Sequence, residues 1–175
     1  MDKKAQLSAS IVAGLAAFLA PFMGASVNIA LPSIGREFKA DAVMLGWVAT
    51  AYILASAVFL VPFGKLADIH GRKKIFLTGI TVYTAASLLC ALADSIGALI
   101  GSRILQGIGA ALIFGTSLAI LTSVFPPGRR GKALGINVAS TYLGLSLGPV
   151  LGGLLTQEFG WRSIFFINLP LGIII

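Results

Sequence analysis

The chain reads as an all-α membrane protein: a six-helix bundle of three plus three helices in opposite topology, its sixth helix truncated. Three observations predict this. Hydrophobic residues make up 57% of the 175 residues and charged residues 11%, against about 25% charged in soluble domains. The apolar residues fall into runs long enough to cross a bilayer, and the cations gather in the connections between them. A faint internal echo then relates the connection after the second run to the connection after the fifth.

A transmembrane helix needs about 20 apolar residues to cross a core of about 30 Å. The first run, 7–31, follows Lys3 and Lys4 as a signal peptide would, but it exceeds the 7–15 residues of a signal core and further spans follow. The second, 45–63, leads into the basic connection 64–74, expected as a short surface loop because four cations and a carboxylate cannot rest in hydrocarbon. The third, fourth and fifth occupy 75–93, 96–125 and 133–156. The last, 163–175, has 13 residues, about 20 Å of helix at 1.5 Å per residue. It falls short of the bilayer, so the chain is expected to be part of a longer protein with a missing C-terminal half.

Lys3, Lys4, Lys65, Arg72, Lys73, Lys74, Arg129, Arg130 and Lys132 lie on one side of these spans, and only Arg36, Lys39 and Arg162 on the other. The excess of Lys and Arg in cytoplasmic loops places the N-terminus inside. The expected location is therefore the inner (cytoplasmic) membrane, with multiple passes. The echo runs at one offset of 89 residues: Gly64, Leu66, Gly71, Lys73, Ile75 and Phe76 recur as Gly153, Leu155, Gly160, Arg162, Ile164 and Phe165. One copy lies inside and the other outside, as an inverted repeat requires.

The same composition excludes other classes. The net charge of +7 sits in membrane connections rather than on a soluble surface, so no nucleic-acid partner is expected. Cys90 and His70 are single residues of their kinds, so neither a disulfide nor a metal site is expected. No nucleophile–base pair or phosphate loop is present, so neither an enzyme nor a cofactor is expected.

Three patterns carry the functional reading. In the connection 64–74, Gly64, Leu66, Ala67, Asp68, Gly71, Arg72 and Lys73 form a Gly-bounded acidic–basic cluster. The glycines permit close backbone approach, and Asp68 can pair with Arg72 or cap a helix. In the fourth span, Arg103 is the one charge well inside any run, followed by Gln106 and Gly107, with Ala110, Phe114 and Ser117 near its face. Burying it costs about 2.5–3.5 kcal/mol on the insertion scale. It therefore either faces protein or a water-filled cavity, or snorkels to the outer interface. In the fifth span, Gly144, Gly148 and Gly152 recur every four residues beside Pro149 and Gly153. That stripe is a helix-packing face, and Pro149 should bend the helix.

In this order the three patterns resemble the N-terminal half of a major facilitator superfamily transporter. The segment Val27-Asn28-Ile29-Ala30-Leu31-Pro32 is similar to the end of helix one in the antiporter branches, and the later Gly160-Trp161-Arg162 and Phe165-Phe166-Ile167-Asn168-Leu169-Pro170 resemble the fourteen-helix drug:proton branch. The resemblance implies an efflux antiporter of small amphipathic compounds working by alternating access. It implies that Gly64–Lys73 residues latch the two halves on the cytoplasmic side and that Arg103, with Gln106 and Gly107, serves coupling or gating at a central cavity. It further implies that the Gly148-Pro149 motif marks an antiporter. That branch carries an Asp in its first helix where this chain has Met23. Either the protonatable group then lies in the missing half or the protein is not proton-coupled in the usual way, and Phe22, Met23 and Asn28 would line an apolar, substrate-facing pocket. A uniporter or importer of another solute, or a non-transporting binding module, remains the alternative.

Overall fold

The computed structural model describes residues 3–175, with the side chains of Lys3 and Ala5 outside the described set, so the cation counted at Lys3 is placed by its backbone alone. Seven helices follow one another: α1 (Lys3–Phe38), α2 (Ala42–His70), α3 (Arg72–Ala91), α4 (Ile96–Val124), α5 (Pro127–Phe159), α6 (Ser163–Phe166) and α7 (Asn168–Ile174). Helices α1 to α5 are each long and apolar enough to cross a membrane.

Local chemistry sets the helix ends. Asp41 caps α2 by accepting the Met44 N–H at 2.8 Å, and Ser95 caps α4 by accepting that of Ala98 at 3.3 Å, each satisfying an N–H that the helix leaves orphaned. Pro127 opens α5, where its missing N–H costs nothing. Gly71 stops α2 at a φ of 93°, a backbone region that disfavours side chains, and returns its N–H to Ala67 O at 3.0 Å.

One expectation is corrected here. The connection 64–74 is not a loop. Helix α2 runs through to His70 and α3 starts at Arg72, leaving Gly71 alone between them. The charges mark where the chain leaves hydrocarbon, not where hydrogen bonding ends; Ala67 stays buried against Ile75 and Leu112 while Lys65 and Asp68 point away. The sixth span is present as the short apolar helix Ser163–Ile174, with only Ile167, itself near helical dihedrals, interrupting its regular hydrogen bonding between α6 and α7. Pro170 has no N–H to return to the Phe166 carbonyl, which is where a continuous helix would need it.

Helix α1 packs chiefly on α5, and α4 chiefly on α2 and α3, with α6 and α7 against α3. The first helix of each repeat thus pairs with the second helix of the other. The seams correspond in detail. A Cβ on Gly107 would collide with Tyr52 O, and one on Gly144 with Phe18 O. At the 89-residue offset Gly107 corresponds to Phe18 and Tyr52 to Thr141, three residues from Gly144. One core lies around Met23, Val27, Ala30 and Ile34 of α1, packed with Val48, Leu99, Ile164 and Phe165. Apolar side chains of α2 and α5, among them Val58, Val61, Leu143 and Val150, stay exposed.

Candidate functional site

Arg103 is 1% exposed. It does not snorkel to an interface: its side chain is turned across the bundle, where three features of α2 and α4 hold it. Its Nε donates to Val48 O at 3.0 Å, one terminal nitrogen donates to Gln106 Oε1, and the guanidinium lies 4.3 Å over the Tyr52 ring. The last contact adds about 2 kcal/mol when desolvated. The relay continues inward. Gln106 Nε2 donates to Ser87 Oγ at 2.7 Å, Asn168 Nδ2 donates to the same oxygen at 3.3 Å, and Ser87 donates to Tyr83 O at 2.8 Å. One polar chain therefore ties α2, α4, α3 and α7 together through the apolar core. In an apolar core each such group needs a partner; Arg103, Gln106 and Ser87 find theirs in this chain, whereas Asn168 Oδ1 has none among the described residues.

Beside Arg103 lies a cavity of about 370 Å³ walled by Ala20, Pro21, Gly24, Ala25, Asn28, Ala49, Tyr52, Ile53, Phe114 and Leu145. Its walls come from α1, α2, α4 and α5, two helices from each repeat. Arg103 supplies its only charge, and the second terminal nitrogen of the guanidinium has no hydrogen-bond partner among the described residues.

Several expected site residues sit elsewhere. Of Phe22, Met23 and Asn28, only Asn28 lines the cavity. Met23 is fully buried in the apolar core and Phe22 is 1% exposed, stacked on Phe18 at 5.3 Å. Helix phase explains this: five residues at 3.6 per turn rotate Met23 about 140° from Asn28, so the two cannot share a face. Gln106 and Gly107 also leave the cavity. Gln106 is fully buried between Arg103 and Ser87, and Gly107 lies against the α2 backbone.

The expected pair at the α2–α3 corner is present: Asp68 Oδ1 accepts Arg72 Nε at 3.1 Å and Nη2 at 2.9 Å. Arg72 also reaches Ala119 O on α4 at 3.3 Å, a contact the sequence did not suggest. Leu66 packs beside that corner, and Lys73 with Arg72 borders a second cavity of about 550 Å³. A side chain on Gly64 would meet nothing within 4 Å; the close approach there is that of Gly115 toward the Gly64 backbone. In the glycine stripe, a Cβ at Gly148 would lie 2.6 Å from Ala25 Cβ and one at Gly152 2.6 Å from Ser26 Cβ, whereas Gly153 has only an ordinary contact with Ile29. Ser26 donates to Gly148 O at 3.0 Å, and α5 continues unbroken past Pro149.

The opposite end of the bundle holds a cluster that the sequence showed only as an isolated Trp-Arg pair. Glu37 accepts Trp161 Nε1 at 2.7 Å and Arg162 Nη1 at 2.5 Å, while Arg162 Nη2 donates to Ala93 O at 2.8 Å. This joins the end of α1, the α3–α4 turn and the start of α6. Glu37→Ala is expected to lower stability by about 1 kcal/mol, because the pair is partly solvated. Unfolding in detergent measures it; a variant melting with the parent would assign the cluster no stabilising share.

Comparison with known proteins agrees with this architecture. Residues 13–175 match the Major Facilitator Superfamily. The chain is 39% identical over 164 residues to the riboflavin transporter RibZ of Clostridioides difficile, covering 94% of this chain and 36% of that protein. It is 41% identical over 173 residues to the multidrug resistance protein Stp of Mycobacterium tuberculosis, covering 98% and 32%. It is also 40% identical over 167 residues to the cephamycin export protein CmcT of Amycolatopsis lactamdurans, covering 95% and 34%. The chain thus spans about a third of the length of these curated relatives. In fold it is similar to a bacterial homologue of the human lysosomal transporter Spinster, crystallised inward-facing and occupied, with a TM-score of 0.85 at 19% identity over 99% of this chain and 44% of that one. With its three motifs, its paired repeats and its buried arginine, the chain belongs to the major facilitator superfamily of membrane transporters.

Proposed function

We propose that this chain is the N-terminal half of an efflux antiporter for small amphipathic compounds, working by alternating access. The carrying observation is the cavity beside Arg103: apolar walls from both repeats, with one guanidinium that keeps free N–H donors for a substrate oxygen. Relatives named for multidrug resistance and cephamycin export support the reading. In it, the membrane covers 7–31, 45–63, 75–93, 96–125, 133–156 and 163–175, and the cation-rich end with the N-terminus faces the cytoplasm of the inner membrane. Accumulation of an amphipathic dye in energised everted vesicles carrying the full-length protein tests it. Uphill dye uptake that collapses with the proton gradient supports antiport; uptake indifferent to any gradient overturns it.

No carboxylate lines the cavity among the described residues. Proton coupling, in this reading, uses a group outside this chain, and Arg103 positions substrate or responds to it. The Asp68–Arg72 pair acts as part of a cytoplasmic latch toward the second half. Its side chains are 63% and 41% exposed, so the pair itself adds at most about 1 kcal/mol to stability. Asp68→Asn is therefore expected to insert and fold normally and to lose most transport; unchanged efflux in the vesicle assay would remove the latch role.

A second reading is favoured by one observation, the similarity to a riboflavin transporter. There the cavity takes one heteroaromatic nutrient rather than many compounds. Competition of unrelated dyes for one uptake site separates the two.

A further inference from the structure

We propose that the groove on the membrane side of the α1–α5 pair binds one anionic glycerophospholipid from the leaflet nearest the N-terminus. Two adjoining cavities make the groove, of about 650 and 440 Å³, and they share Leu7, Ser10 and Ile136. The first is its mouth, bordered by Arg129 and Lys132 at the start of α5. The second continues along the two helices between Phe18 and Leu143, over a floor where Gly14 and Ser140 bring the helices together.

Three features select this occupant. Charge is the first. Two cations border the mouth and no carboxylate among the described residues lines either cavity. Of the described acids, Asp68 at this end is engaged by Arg72, and Glu37, Asp41, Asp94 and Glu158 belong to the other end. A phosphodiester between a guanidinium and an ammonium completes that set. Depth is the second. From Leu7 to Phe18 the groove follows eleven residues of α1, about 16 Å at 1.5 Å per residue, or half of a hydrocarbon core of about 30 Å. It therefore has the reach of one acyl chain in one leaflet. Position is the third. Ile136 of the groove and Leu145 of the Arg103 cavity are nine residues apart on α5, two and a half turns, hence opposite faces. The groove looks away from the transport cavity.

The test is lipid retention by the full-length protein in detergent, titrated with phosphatidylglycerol or phosphatidylcholine of identical acyl chains and read by native mass spectrometry. Phosphatidylglycerol is expected to be retained roughly 30-fold more tightly, the effect of two surface cations. Arg129→Gln with Lys132→Gln should erase that preference, while Lys74→Gln, away from the groove, should not. Ser10→Trp, at the junction of the two cavities, should weaken retention of both lipids. Equal retention of the two lipids, an equal effect of Lys74→Gln, or no retention of either lipid, as when another helix covers the groove, overturns the proposal.

Discussion

Arg103→Ala is expected to abolish transport in a protein that still reaches the membrane, and Arg103→Lys to retain only a small fraction. The alanine variant removes the donor to Gln106 Oε1 and the cation above Tyr52. It leaves a buried amide oxygen unpaired, at about 1–3 kcal/mol. The Val48 carbonyl suffers less, since a helix carbonyl keeps its backbone partner. Lysine brings one nitrogen in place of a planar fork, so it cannot serve Val48 and Gln106 while also stacking on the ring. Membrane content by immunoblot and dye uptake into everted vesicles measure the two effects separately. Lysine and alanine variants that transport alike would reduce Arg103 to a structural residue.

Gly144→Ala is expected to be the more damaging change to folding. One methyl there lands on the Phe18 carbonyl of the neighbouring backbone. Backbone cannot step aside as a side chain tip can, so the α1–α5 seam must open, at about 1–3 kcal/mol or more. Gly153→Ala, nine residues along the same helix, meets only Ile29 Cγ2 at 3.7 Å. It should be neutral or gain up to about 1 kcal/mol from helix propensity. Thermal unfolding of the two purified variants tests the contrast, and equal melting temperatures would dissolve it.

Much of this architecture is legible in the sequence because the bilayer imposes it. Apolar runs had to become helices, since hydrocarbon offers backbone groups no other partner. Arg103 stood out by its rarity, and Gly144, Gly148 and Gly152 by their spacing. The partners of Arg103 were not legible. Tyr52, Ser87 and Asn168 lie in three other helices, and nothing local marks them as neighbours across a bundle. The assignment of Met23 to the cavity failed for a different reason. A gap in a motif identifies a position along the helix, but only helix phase says which way it faces. The helical course of 64–70 was hidden because charge reports the membrane surface and is silent about hydrogen bonding beyond it.

The pairing of α1 with α5 also sets an order of events in time. Ser26 and Gly148 are 122 residues apart, so at 5–20 residues per second α1 waits about 6 to 24 s for its partner to be synthesised. During that interval the strip Phe18–Phe22–Ser26 has no α5 to cover it, and lipid or the insertion machinery must shield it. The α2–α4 seam, shorter by loop length, closes first. A glycine variant that misfolds at the α1–α5 seam would therefore fail late, with its other seam already formed, and would be met by membrane proteases as a half-assembled protein.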